Sequence, residues 1–205
     1  MVIKNTKGSL IMTKVAVVFA DGCEEVEGLS VVDVIRRLDV DCDMVGLDKR
    51  DIMGAHQIKI TCDKVVDDSL LDYDLVAFPG GSVGAENLRD SEKLKDIMVK
   101  RNQEGKWDAA MCAAPIAFGR YGILKDTNYT CYPGFQKQIQ ADCPSAKFSE
   151  NITVTDDSHK IITSRGPATA WAYGYAIARA LSINPDQLEK AMLYDYLAQN
   201  IQNSL

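Results

Sequence analysis

The sequence predicts an α/β fold with a mostly parallel central sheet and helices on both faces. Three observations carry that expectation. Runs of strand length, such as "KVAVVFA" (14–20) and the core of "YDLVAFPGG" (73–81), are apolar without the polar alternation of a sheet that faces water on one side. Segments of helical periodicity separate such runs, so strands and helices alternate along the chain. The 205 residues, 46% of them hydrophobic, suit one domain with a core of its own. No repeat or linker divides the chain. Residues 12–205 are therefore expected to form a single domain. Met12 stands directly before the first strand-like run, so residues 1–11 are expected to be a disordered extension.

Each element follows from its own residues. The first strand, 14–20, runs into "DGCEEVEG", a turn whose acidic residues suit the positive end of a helix. Val31, Val34, Ile35 and Leu38 then recur at helical spacing up to "RRLD". "DCDMVGL" (41–47) is the next strand, and "HQIKITCD" (56–63) has the period-two look of a hairpin strand. The buried strand in 73–81 is cut by Pro79 and two glycines, and a helix over 91–105 stops at Gly105. "WDAAM" (107–111) is a short apolar strand leading into Cys112, and 114–124 reads as helix. "ITVTD" (152–156) and "KIITS" (160–164) flank a tight turn as a strand pair. Residues 168–181 form a further helix. A last helix opens at "NPDQ", with Asn184 as N-cap, Pro185 in first place and Gln187 in third.

Composition excludes several classes. Lys and Arg number 23 against 29 Asp and Glu, a net charge of −6, which argues against a general nucleic-acid binder. No stretch approaches the ~18 apolar residues of a membrane span. Lysines interrupt the short apolar pieces at the N-terminus, unlike a secretory signal. The six cysteines include no CxxC pair and read as reduced thiols of a cytoplasmic protein. His56 and His159 are the two histidines, and neither lies at ligand spacing from a cysteine pair, so a zinc site is not expected.

Ligands of open α/β sheets bind at the carboxyl ends of the strands. Three predicted strands end in unusual chemistry: "ADGCEEVE", "FPGGSVGAEN" and "MCAAP". Cys112 would sit on a strand-to-helix turn. It is either a small buried hydrophobe or a nucleophile whose pKa the helix N-terminus lowers. In the second case the Ala113 amide would point to the site, and Gly81, with no side chain in the way, would offer a second amide to form an oxyanion hole. Glu24, Glu25 and Glu27 decorate a helix start, or one of them turns inward. A carboxyl forced against a thiolate would keep its proton and donate a hydrogen bond to the sulfur.

The stretches "ADGCEEVEGLSVVDVIRR", "FPGGSVGAENLRDSE", "AAMCAAPIAFG", "CYPGF" and "ITSRGPATA" occur in this order. Together they resemble the ThiJ/PfpI superfamily, in its Parkinsonism-associated branch, over residues 12 to 182. The resemblance implies a flavodoxin-like sandwich and a homodimer. It puts the reactive cysteine at Cys112, its protonated acid partner at Glu27, and the oxyanion amides at Gly81 and Ala113. Many relatives carry histidine where this chain has Tyr132, a residue that accepts no proton near neutral pH. His56, in a loop, is the remaining local candidate for a base, whether within its own site or across a dimer interface. Arg37, at the end of the first helix, is a weaker candidate near the subunit contact. "SRGP" (164–167) reads equally well as a helix-start turn.

The function expected from this reading is a cofactor-free, cysteine-dependent glyoxalase or deglycase acting on small dicarbonyls such as methylglyoxal, with a role in carbonyl and oxidative stress. Two alternatives stand beside it. One is a protective protein that senses oxidation through Cys112. The other is a cysteine peptidase or amidase, which wants a histidine base.

Overall fold

The computed structural model describes residues 13–201, together with a two-residue antiparallel strand pair, Ile3–Lys4 against Leu10–Ile11. The disordered extension expected over 1–11 otherwise lies outside the described residues. Seven strands form the central sheet: β1 (Lys14–Phe19), β2 (Asp41–Gly46), β3 (Lys64–Val65), β4 (Leu75–Phe78), β5 (Trp107–Met111), β6 (Thr153–Asp156) and β7 (Ile161–Ser164). Their order is β6-β7-β5-β4-β1-β2-β3. Every neighbouring pair is parallel except β6 with β7. After the exposed Lys14, all of β1 is buried, as is all of β4. Strands covered on both faces have no use for polar alternation.

The helices are α1 (Glu25–Arg37), α2 (Ser82–Asp90), α3 (Glu92–Gln103), α4 (Pro115–Tyr121), α5 (Gln136–Asp142), α6 (Ala170–Ala180), α7 (Asp186–Ala191) and α8 (Tyr194–Asn200). α1 and α6 pack together as one layer, and α2, α3 and α4 form the other, with α5 against α4. Gly174 permits the close approach within the first layer, since a Cβ there would stand 3.1 Å from Val34 Cβ. α3 is tied to the sheet by Arg101, which is fully buried. Its Nε donates to Asp108 Oδ1 at 2.8 Å, Nη1 donates to the Leu70 and Tyr73 carbonyls, and Nη2 donates to the Trp107 carbonyl.

Several expectations shift. The hairpin strand over 56–63 shrinks to Lys59–Thr61, pairs with Asp51–Met53, and stays off the central sheet, leaving 56–58 in a turn. α2 and α5 were not expected: "SVGAENLRD" and "QKQIQAD" each bury too few apolar residues to show a helical stripe. The helix over 114–124 stops at Tyr121 because Gly122 turns left-handed, at φ 77°. Asn184 Oδ1 does accept the Asp186 amide at 2.9 Å, but α7 begins at Asp186, one residue late.

The chain moves outward from β1 through β2 to β3, then returns to the other side of β1 for β4 and β5. The switch in direction lies between β1 and β4. A crevice must open there at the carboxyl ends of the strands.

Candidate functional site

β5 ends at Met111 and hands the chain to Cys112, which adopts φ 59°. A non-glycine residue in the left-handed region is strained. Two backbone bonds hold it there. The Cys112 N–H donates to the Ser164 carbonyl at 2.9 Å, and the Cys112 carbonyl accepts from the Tyr132 N–H at 2.8 Å. The thiol lines a cleft of about 700 Å³ and faces the amides of Gly81 and Ala113. Gly81 has φ 86°, and a Cβ there would stand 2.4 Å from the Gly22 carbonyl oxygen, so only glycine fits.

Glu27, in the first turn of α1, has no solvent exposure. Its Oε2 accepts the Gly80 N–H at 2.6 Å, while Oε1 is buried with no hydrogen-bonding N–H or O–H among the described residues. That oxygen is the natural seat of a proton. Burial pushes the carboxyl up to about 7, against the opposing pull of the Cys112 thiol and the Gly80 amide. Gly80 must also be bare, because a Cβ would stand 2.7 Å from Cys112 Cβ and 2.8 Å from Glu27 Oε2.

The expected depression of the thiol pKa is corrected. Burial, then the Glu27 charge and its hydrogen bond, push Cys112 up, while the Gly81 and Ala113 amides pull the other way. α4 begins only at Pro115, so its N-terminal field does not dominate. Cys112 and Glu27 therefore titrate as a pair. With the proton on Glu27, the repulsion disappears and the carboxyl becomes a donor to the sulfur.

The other candidates divide. His56 and Tyr132 line the same cleft, with Asp21, Glu24, Val83 and Phe135. Tyr132 is half-exposed, and its ring meets Phe135 edge-on at 6.4 Å. Arg37 does not join them. It lies at the far end of α1, roughly 15 Å along the axis from Glu27, and pairs with Asp33 at 2.8 Å on the surface. Pro167 of the "SRGP" segment opens a 3₁₀ turn at the cleft.

Glu25 is only 2% exposed and reaches across to His56. Donor atoms of Glu24, Glu25 and His56 lie within 4.8 Å of one another. Within this group His56 Nδ1 stands 2.8 Å from Glu25 Oε2, at hydrogen-bonding distance. Sequence reasoning missed the roles of Gly80, Glu25 and Ser164. It also missed Tyr173, which is fully buried and whose phenol is pushed well up by burial and then by the Glu27 charge. The doubled glycine after Pro79 was the one available signal.

A family model described as the DJ-1/PfpI family matches residues 13–180. The Parkinson disease protein 7 homolog of Danio rerio is 34% identical over 170 residues, 80% of this chain and 87% of the relative. DJ-1 homolog B of Arabidopsis thaliana is 33% identical over 82% of this chain, which spans 38% of that longer protein. Among solved structures, Drosophila melanogaster DJ-1beta superposes with a TM-score of 0.83 at 26% identity, covering 89% of this chain and 98% of the other.

Proposed function

The chain belongs to the DJ-1/PfpI family, and from that premise we propose that it is a cysteine-dependent, cofactor-free glyoxalase-type enzyme for methylglyoxal-like dicarbonyls, serving carbonyl and oxidative stress defence. The observation that carries this reading is the Cys112 thiol facing two backbone amides with the buried carboxyl of Glu27 beside it. The Cys112 sulfur adds to the aldehyde carbon, and the Gly81 and Ala113 amides stabilise the oxyanion. Glu27 gives its proton to that oxygen, forming a hemithioacetal. As carboxylate it then takes the C–H proton of the same carbon and returns it to the neighbouring carbonyl carbon through the enediol, while the hydroxyl proton passes from the first oxygen to the second. The result is a thioester on Cys112. Water cleaves it to a 2-hydroxy acid and restores the thiol. Overall, one dicarbonyl and one water give one hydroxy acid, with no external oxidant or reductant.

The test is lactate formation from methylglyoxal without glutathione. Wild type should turn over and Cys112→Ser should not; turnover that survives in the serine variant overturns the reading.

A redox-sensing role is the second reading. The same carboxyl proton and amides suit a cysteine sulfinate, and a solved Toxoplasma gondii relative is described as oxidized. Peroxide that leaves Cys112 unmodified would count against it. The proposal includes a homodimer, supported by the exposed apolar side chains Val26 and Leu29 on α1 and Met53 and Ile58. It also includes a cytoplasmic setting, supported by six free, buried cysteines.

A further inference from the structure

The cleft holds a second proton-carrying device that the mechanism above leaves unused. Residues 54–58 form a tight turn in which the Gln57 N–H donates to the Gly54 carbonyl at 3.1 Å and the Gly54 N–H donates to the Ile58 carbonyl at 3.0 Å. Gln57 takes φ 63° to close it. The turn is docked on the segment after β1: Ala55 N–H donates to the Cys23 carbonyl at 2.8 Å, Gly22 N–H to the Met53 carbonyl at 2.7 Å, and Met53 N–H to Asp21 Oδ1 at 2.9 Å. Its position on the segment after β1 is thus set by two backbone bonds and one to the Asp21 carboxylate.

His56 sits at the tip of this turn, and the buried Glu25 grips it twice. Glu25 Oε1 accepts the His56 backbone N–H at 2.7 Å, and Oε2 stands 2.8 Å from the ring Nδ1. The carboxylate fits only because residue 54 is glycine: a Cβ there would stand 2.1 Å from Glu25 Oε1. A carboxylate on Nδ1 fixes the tautomer with that nitrogen protonated and leaves the lone pair on Nε2. A ring oriented by an acid, lining the same cleft as a nucleophile, is a candidate arrangement for an activated base.

The two proton carriers divide the cleft by depth. Glu27 is sealed from solvent beneath the sulfur. It can serve the atoms bonded to Cys112 but has no exposed surface of its own. The His56 side chain is 65% exposed at the same cleft. Attacking water must arrive from that side.

We infer that His56, held by Glu25, is the general base that activates the water cleaving the acyl group from Cys112. Nε2 takes a proton from water, the hydroxide oxygen bonds to the thioester carbon, the carbon–sulfur bond breaks, and the proton returns to the departing thiolate. This rests on the dicarbonyl reading proposed above. The charged and titratable groups around the ring are Glu25, Glu24 with Oε2 at 3.7 Å, Asp21 paired with Lys49, and the cleft's Cys112 and Tyr132. The hydrogen bond to Glu25, followed by the Glu24 charge, raises the His56 pKa above its ordinary value. The neutral base should therefore gain population as pH rises through that raised value.

The experiment follows methylglyoxal turnover against pH in wild type, Cys112→Ser, His56→Gln and Glu25→Gln, with intact mass measured during the steady state. His56→Gln should lower kcat by about 10²-fold or more. It should also accumulate a hydroxylamine-cleavable adduct on Cys112 and lose the limb that rises with pH. Added imidazole should restore part of the rate. Glu25→Gln should move that limb to lower pH. If His56→Gln turns over like wild type without an adduct, while Cys112→Ser is dead, this inference falls and the dicarbonyl reading stands. If wild type shows no Cys112-dependent turnover, both fall.

Discussion

The Cys112 thiol and the buried Glu27 carboxyl titrate together, and this has a measurable consequence for stability. Burial lifts the Glu27 carboxyl to about 7 in the folded chain, against ~4.3 for a glutamate in an unfolded one. Between those values the folded state holds a proton that the unfolded state has released. Stability must therefore fall as pH rises through the window, by on the order of 3 kcal/mol. Glu27→Gln mimics the protonated acid and removes the slope. Its thermal midpoint relative to wild type should climb from about pH 5 to about pH 8; parallel curves would refute a buried proton on Glu27. Tyr132 is different. Half-exposed, it has no hydrogen bond through its hydroxyl among the described residues. Tyr132→Phe should leave the turnover number close to wild type, and a large loss would show that the phenol contacts the reacting atoms. That Cys112 follows a strand end was legible in the residues, whereas the choice of Glu27 among Glu24, Glu25 and Glu27 came from the family resemblance. The sign of the thiol shift was legible in neither, because it depends on a carboxylate brought from 85 residues away, at Glu27, against Cys112.

At the scale of elements, the site depends on turns more than on helices. β1, β4 and β5 were readable because unbroken apolar runs identify buried strands. The turns that leave these strands were harder to read. Glu25 looked like an ordinary acidic helix start, yet it turns away from the helix end to hold His56. α2 carries too few buried apolar residues to be seen, although its start supplies Gly81 as N-cap. The turn at 79–81 gives the sharpest element-scale prediction. A methyl group on Gly80 would meet Cys112 Cβ, Glu27 Oε2 and the Ala113 nitrogen, all within 3 Å. Gly80→Ala should cost about 1–3 kcal/mol of stability and nearly all Cys112-dependent activity. Calorimetry with an activity assay checks both, and a variant that keeps full activity would mean the three groups are not so close.

The whole molecule is organised around a covered parallel sheet whose one buried ion pair, among the described residues, is Arg101 with Asp108. This pair joins α3 to β5, the strand that delivers Cys112. Removing one partner strands the other charge in the core, which typically costs 3–5 kcal/mol. Arg101→Met should lower the thermal midpoint by roughly 10 °C for a chain of this size; a change within a degree or two would mean that solvent reaches Asp108. Nothing local in "KRNQEGKWD" distinguishes this arginine from its exposed neighbours, since its partners are chosen by the packing of three elements. The cleft is equally non-local. It draws on 21–24, 53–56, 81–83, 112–113, 132–135 and Pro167. A ribosome must therefore finish Pro167 before any molecule can own a complete cleft, and a protease that cuts between those stretches and lets them separate abolishes it. A label that reacts at Cys112 only through the assembled cleft would count the whole, correctly folded molecules in a cell extract, and ignore every fragment and every half-made chain.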